Sequence, residues 1–318
     1  MPKCGMTVAA REDRGERAYV LLWKETGRVA MTTSSDLPWV SLVTPSFNQA
    51  AFLEETIQSV LHQDYPNIEY LVVDGGSTDG SVDILRRYAD RLAWWVSEPD
   101  NGQTHAIIKG FARARGKYLG WLCSDDVLEP SMVSISVDYH RRHPEVACTH
   151  GDRIRIDAKG NIYSLLRYPE FRPWFLRYGM TLPQETTLFT REAYDAVGGL
   201  DESLHMAMDF DLWCKFSARY AIRHIPAVLG RFRAHATNKS TQFTHQAESA
   251  DSGPYFEEYR RLFPRHFGRA YRPARHAAAK RWHTLLALLD RRSRRYRREL
   301  AAVSRVRLEE RDATWQER

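Results

Sequence analysis

Between residues 39 and 126, apolar runs alternate with segments of helical period, and no other feature constrains the fold as strongly. Residues 39–44, Trp39-Val40-Ser41-Leu42-Val43-Thr44, read as a strand. Asn48 is then placed to cap a helix whose Leu53, Ile57, Val60 and Leu61 fall on one face. Residues 68–73 form a second, nearly continuous apolar run, as expected for a sheet covered on both faces. A turn cluster follows at 74–80, then a helix through Val82, Leu85 and Tyr88. Residues 92–97 predict a third strand, 103–115 a helix, and 117–123 a fourth strand that ends at Ser124-Asp125-Asp126. Strands alternating with helices of about 12 residues predict βαβ units. The expected class is therefore α/β, with a mostly parallel, Rossmann-like central sheet flanked by helices and right-handed crossovers.

The second half is more mixed. Residues 146–150, 154–156, 162–166 and 186–190 read as short strands, with Lys159-Gly160-Asn161 as a turn. Residues 191–197 and 210–220 read as helices, and beyond Pro254 the chain is mainly helical, with breaks at Pro264 and Pro273. Three regions follow: an N-terminal extension expected to be poorly ordered (1–37), a body (38–245, dividing at 127/128), and a helical C-terminal arm (246–318). Met31, just ahead of the first clear strand, offers an alternative start.

Composition narrows the class. Apolar residues make up 43% and charged residues 27%, as in globular proteins rather than disordered or fibrous ones. No run approaches the ~18 apolar residues of a membrane-spanning helix, and the charged segment 11–17 does not resemble a signal peptide. Cys4, Cys123, Cys148 and Cys214 are far apart without a Cys-x-x-Cys, which excludes a zinc ribbon or thioredoxin motif and points to reduced thiols. The expected location is cytoplasmic. Residues 259–307 carry 15 Arg and one Lys against Asp290 and Glu299, so a chain of net charge +6 is an acidic body with a basic arm. The arm reads either as a solvated helical face docked on the body or as a peripheral contact with the inner face of a membrane, where each basic residue gains ~1 kcal/mol near anionic lipid. No base-reading module accompanies it, so nucleic acid is not the expected partner.

In open α/β sheets, ligands bind beyond the carboxyl ends of the strands. Three acidic features converge on that edge: Asp74, the loop Glu98-Pro99-Asp100-Asn101-Gly102, and Asp125-Asp126. The last pair follows a strand that should be buried, so its carboxylates repel each other unless a cation or strong donors compensate. Hard oxygen ligands at such a point suit Mg2+ or Mn2+. The competing role for Asp126 is to cap the next helix. A P-loop, a dinucleotide fingerprint and a Gly-x-Ser-x-Gly elbow are all missing.

Five motifs occur in order: Pro45-Ser46-Phe47-Asn48, Val73 to Gly80 (VDGGSTDG), Ser97 to Gln103 (SEPDNGQ), Ser124-Asp125-Asp126 and Gly198 to Ser203 (GGLDES). Together they resemble the family 2 glycosyltransferases, inverting nucleotide-sugar enzymes of the GT-A fold, over about residues 38–243. Met208 to Trp213 (MDFDLW) resembles a subgroup whose acid motif reads Met-Asp-Tyr-Asp-Leu-Trp. The resemblance makes 38–127 the nucleotide half and 128–245 the acceptor half. It implies that Pro45 and Phe47 line the base pocket and that Asp74 contacts the nucleoside. It places Asp100, Gln103 and Asp125 on the donor, Asp126 on a Mn2+ or Mg2+ ion, and Asp209 as the general base. His235 resembles a late His that reaches the metal or the diphosphate. The implied partners are a UDP-, GDP- or dTDP-sugar and a glycan or lipid-linked hydroxyl acceptor. Gln184 and Glu185 resemble an acceptor-side stretch, and Trp174, Phe175 and Tyr178 offer a stacking face, although such aromatics are more often core.

Departures from the family pattern matter too. Gly75 stands where many members carry a second acid, and Ile107-Ile108 where many carry Arg-Asn. No Q-x-x-R-W segment is present, which argues against a processive synthase. Asp201 and Asp211 compete with Asp209 for the role of base and read as structural; a cap of its own helix is the competing role for Asp209. Two other functions share parts of this pattern: a nucleotidyltransferase, which would release pyrophosphate, and a sugar-nucleotide-binding protein without turnover.

Overall fold

The computed structural model describes residues 6–13, 16–23, 36–179, 181–239 and 254–272. Within the N-terminal extension, β1 (Met6–Asp13) pairs antiparallel with β2 (Glu16–Trp23). The body begins with β3 (Val40–Ser46), α1 (Ala50–Leu61), β4 (Ile68–Asp74), α2 (Ser81–Tyr88), β5 (Trp94–Ser97), α3 (Gln103–Arg113) and β6 (Tyr118–Trp121). It continues through β7 (Val127–Leu128), α4 (Met132–Arg142), β8 (Val146–Ile156), β9 (Ile162–Leu166), β10 (Leu188–Thr190), α5 (Arg191–Ala196), α6 (Met208–Arg219) and β11 (Ala221–Arg233), and α7 (Pro254–Phe267) follows. The basic arm is described only to residue 272. Among the described residues no helix is long and apolar enough to cross a membrane.

The main sheet runs β5-β4-β3-β6-β10-β8-β11-β7, with β9 on β8. Its first four strands are parallel. Beyond β6, β10 pairs antiparallel with both β6 and β8, β11 returns parallel to β8, and β7 lies antiparallel on β11. The segments 146–150 and 154–156 belong to one strand, β8, which runs unbroken through Gly151 because a side chain there would strike Leu229 on β11 at 2.5 Å. Thr186 closes a 3-10 turn, so the strand predicted from 186 starts at Leu188.

Period-2 alternation in β4 explains the layers. Leu71 and Val73 pack on one face with Ala106, Ile107 and Phe111 of α3 and with Phe210, Leu212 and Trp213 of α6. Tyr70 and Val72 pack on the other with Leu53 and Ile57 of α1, Leu85 of α2 and Val133 of α4. Both faces are therefore dry, which is why these strands read as continuous apolar runs.

At Gly110, α3 comes closest to the sheet: a Cβ there would lie 2.4 and 2.8 Å from the two γ-carbons of Val43. Replacing Gly with Ala inside a helix gains about 1 kcal/mol of propensity, but overpacking a filled core costs typically 1–3 kcal/mol. Overpacking wins here because β-branched Val43 has little rotamer freedom to yield. Gly110→Ala is expected to lower the chemical-denaturation midpoint, and an unchanged or raised midpoint contradicts this packing.

Candidate active site

The strand ends deliver the acidic loops to one edge. Asp74 closes β4 and is fully buried. Its carboxylate accepts the N–H groups of Gly76 (3.2 Å) and Ser77 (2.8 Å) and the hydroxyls of Ser77 (2.5 Å) and Ser97 (2.7 Å), tying the ends of β4 and β5 together. The same loop closes α1. Asn48 does not cap that helix; its Oδ1 accepts from the Thr78 N–H at 2.9 Å, while Asp79 accepts from Ala50 N at 2.8 Å and Ser81 Oγ from Gln49 N at 3.2 Å. The caps come from 30 residues downstream because Asn48 itself sits at φ 51°, turned away from its own helix. At Gly75 a Cβ would lie 3.0 Å from the Asp100 carboxylate, so a second acid there would meet a like charge.

Asp125 and Asp126 follow β6, and with Cys123 they place three ligand-type atoms within 4.8 Å of one another. Asp126 is buried and does not cap α4, whose N-cap is Ser131. Its Oδ1 accepts the Arg233 N–H at 2.9 Å, and its carbonyl accepts the Thr56 hydroxyl at 2.7 Å. Burial, then the charges of Asp125 and Glu185, push its pKa well above the usual carboxylate range. The Arg233 guanidinium does not relieve that charge directly. It donates to the carbonyls of Asp125 (2.9 Å) and Asp157 (3.3 Å) and to the Glu55 carboxylate (2.5 Å). His235 bonds Asp125 Oδ2 through Nε2 at 2.9 Å and packs against Phe52, with ring centroids 4.5 Å apart; it lies behind the cluster. Two crowded, desolvated carboxylates suit a hard divalent cation, which would relieve their repulsion and be held by Asp125 and Asp126; the Cys123 thiol is the softest of the three donors.

These groups open on a cleft of about 740 Å3. Pro45, Phe47, Asp100, Gln103, Asp125, Asp126, Gln184 and Asp209 all line it, so acids remote in sequence face one space. Phe47 is the most exposed of the core-type residues there, at 60%. On the far wall Asp209 sits in the first turn of α6, accepting from Phe210 N at 2.7 Å and Thr181 Oγ1 at 3.3 Å. Burial pushes its pKa up to about 6, against the lowering effect of those bonds and of Lys239. Gln184 donates to the Trp121 carbonyl at 2.6 Å, which leaves the floor of the cleft tied to β6. Asp211, by contrast, is buried against Lys215 and His266, and Asp201 pairs with Arg265; neither lines the cleft.

Three candidates stand behind the lining: Asp74, His235 and Glu185. Glu185 is buried and lies 3.3 Å from the guanidinium of Arg153, which does line the cleft. Burial works against the charge of Arg153, but Glu185, Tyr168 and Asp126 more than offset it and its pKa is raised. Trp174, Phe175 and Tyr178 pack on one another in a 3-10 turn and none lines the cleft. Reading the sequence missed Arg153 and Lys239, both cations of the lining. Lys239 donates to Gln103 Oε1 at 3.1 Å and to the His205 carbonyl.

Comparisons with known proteins bear on the family and the fold. The Glycosyl transferase family 2 model matches residues 41–196. An uncharacterized glycosyltransferase of Rickettsia prowazekii, RP339, is 30% identical over 224 residues, covering 66% of this chain and 69% of that protein. The chondroitin synthase of Escherichia coli is 28% identical over 221 residues, and the match spans 69% of this chain but only 32% of that larger protein. Among solved structures, residues 1–349 of S. aureus TarS in complex with UDP-GlcNAc share the fold with a TM-score of 0.58 at 18% identity, over 80% of this chain and 72% of that one. The mannosyltransferase PcManGT from Pyrobaculum calidifontis, solved with GDP-Man and Mn2+, gives 0.52 at 21% identity, over 89% and 84%.

The strained carboxylate pair gives a prediction of unusual sign. A carboxylate whose folded pKa is raised withdraws stability as pH rises from its unfolded toward its folded value. Asp126→Asn keeps the acceptor for Arg233 N but removes the repelled charge, so metal-free protein at neutral pH should melt higher than wild type. Adding Mn2+ should then raise the melting temperature of the wild type only. A variant that melts lower without metal, or that still responds to Mn2+, contradicts this reading of the pair.

Proposed function

The chain belongs to glycosyl transferase family 2, and from that premise we propose that its cleft transfers a sugar from a nucleoside-diphosphate donor to a hydroxyl acceptor with inversion. The observation that carries the proposal is that Asp125, Asp126 and Asp209 line one cleft, with Asp209 pushed up to about pKa 6. The neighbours solved with UDP-GlcNAc and with GDP-Man and Mn2+ support a nucleotide-sugar donor and a divalent cation; the proposed donor is of UDP, GDP or dTDP type and the proposed ion Mn2+ or Mg2+.

In this reading Pro45 and Phe47 flank the base, while Asp100, Gln103 and Asp125 orient the ribose and sugar. Asp74 serves the nucleoside by holding the loop that carries Gly75. Asp126 ligates a divalent cation, which when bound neutralises the charge that builds on the diphosphate. His235 holds Asp125 in place from behind or adds a ligand on rearrangement. Gln184 meets the acceptor, with Glu185 fixing Arg153 beside it. Asp209 takes the proton from the acceptor oxygen as that oxygen bonds the anomeric carbon. The bond to the diphosphate breaks on the opposite face and its electron pair leaves with the nucleoside diphosphate. The proposed acceptor is a glycan, a lipid-linked saccharide or a secondary metabolite, and the basic arm past residue 272, outside the described residues, is proposed to draw the protein to an anionic leaflet.

Asp209→Asn should lower kcat by about 10²- to 10⁴-fold, the range of base catalysis, while donor binding in the presence of Mn2+ is kept. Turnover is read as nucleoside diphosphate released from a panel of UDP-, GDP- and dTDP-sugars. Full activity in folded Asp209→Asn, or pyrophosphate as the product, removes the proposal. In the wild type, kcat/KM should climb with pH through about 6 as Asp209 loses its proton. A profile flat from pH 5 to 7, values chosen as about one unit either side of that pKa, argues for another base.

A further inference from the structure

The wall that carries Asp209 is held by a residue far beyond the family-matched region 41–196. Three successive backbone N–H groups, of His205, Met206 and Ala207, all donate to the carboxylate of Glu258 on α7. Oε1 takes His205 at 2.7 Å; Oε2 takes Met206 at 2.9 Å and Ala207 at 2.8 Å. These donors belong to Ala207, the N-cap of α6, and to the two residues that lead into it. A buried carboxylate supplied from α7 gathers all three in charge-assisted bonds, close to the end of the helix dipole that favours an anion.

The segment it grips is part of the cleft. His205 and Met206 line the cleft, and Met208 and Asp209 follow directly. Other contacts of α7 fall on the residues just after Asp209. Tyr259 and Phe263 stack on Phe210 with centroids 4.5 and 5.8 Å away, and His266 bonds Asp211 at 2.7 Å. The two residues after Asp209, and the three before Met208, are thus all fixed by α7, whereas Asp209 itself turns to the cleft.

We propose that Glu258 is a positioning residue for the transfer: it sets the backbone of 205–207 and so the direction in which Asp209 meets the acceptor. The C-terminal helix is then a working part of the active site. The inference rests on reading Asp209 as the base. A purely structural cap makes a different prediction, since its loss lowers stability but leaves each folded molecule fully active.

The test uses the full chain and Glu258→Gln. This change keeps the shape, yet either orientation of the amide turns an NH2 toward at least one of the three N–H groups. Nucleoside diphosphate release is measured with Mn2+ and whichever donor of the sugar panel turns over, water serving as acceptor. The expected result is a kcat about 10²-fold lower, the cost of misplacing a catalytic group by about 1 Å, with a smaller change in donor KM, because Glu258 reaches the donor side only indirectly, through His205 and Lys239 to Gln103. Gly110→Ala, which overpacks the core against Val43 outside the cleft lining, should lose stability while keeping the wild-type kcat. Wild-type kcat in Glu258→Gln overturns the inference, and so does an equal loss of kcat in Gly110→Ala. If Glu258→Gln does not fold, Glu258→Asp is measured instead; it keeps the charge but draws it back by one methylene, and wild-type kcat there overturns the inference equally. Asp209→Asn run alongside separates the two claims. If it is inactive and Glu258→Gln is normal, only the positioning role fails; if it is fully active, the base assignment fails and takes the positioning role with it.

Discussion

Two adjacent carboxylates at the end of a buried strand are the constraint around which the rest is arranged. Asp126 is desolvated and repelled by Asp125, and the protein answers with fixed donors more than with a free cation. The Arg233 N–H bonds the Asp126 carboxylate, Thr56 of α1 holds its carbonyl, and the Arg233 side chain holds the Asp125 carbonyl. These bonds fix the backbone without cancelling the charge. The site therefore keeps an unsatisfied demand for positive charge facing the cleft, and electrostatics in such a dry, preorganised place act more strongly than in water.

That demand draws in distant parts of the chain. β11 brings Arg233 back across the sheet to residues 125 and 126, and its parallel pairing with β8 sets Arg153 on the same cleft. β10 inserts antiparallel between β6 and β8 and so places Gln184, just before it, against the end of β6. The wall that carries Asp209 then comes from α6, which packs against α7. The cleft lining from Pro45 to Gln184 lies in the region that the family model matches, and the lining from His205 to Lys239 lies beyond it.

How much of this was legible depends on the kind of signal. The first half was readable because β3, β4 and β6 are covered on both faces and α1 has one apolar face; local pattern and tertiary burial agree there. Asp125, Asp126 and Asp209 were readable as site residues by motif, and all three line the cleft. Asp74 stands one layer back because four donors within its own loop and β5 consume its carboxylate, a contact no spacing rule exposes. Asn48 looked like a cap, but a downstream loop supplied the caps instead. Arg153, Lys239 and Glu258 carry no local signature at all. Each matters through a partner 30 or more residues away, and such pairings become visible only once the fold brings the partners together.

The central claim is geometric: one donor lies between the 125–126 acids and Asp209. A crystal structure of the full chain with Mn2+ and an intact donor analogue tests it most directly. The account predicts the ion between Asp126 and the diphosphate, with the anomeric carbon turned toward the Asp209 carboxylate on the face opposite the leaving oxygen. A nucleotide bound away from residues 125 and 126, or Asp209 on the same face as the diphosphate, would contradict it.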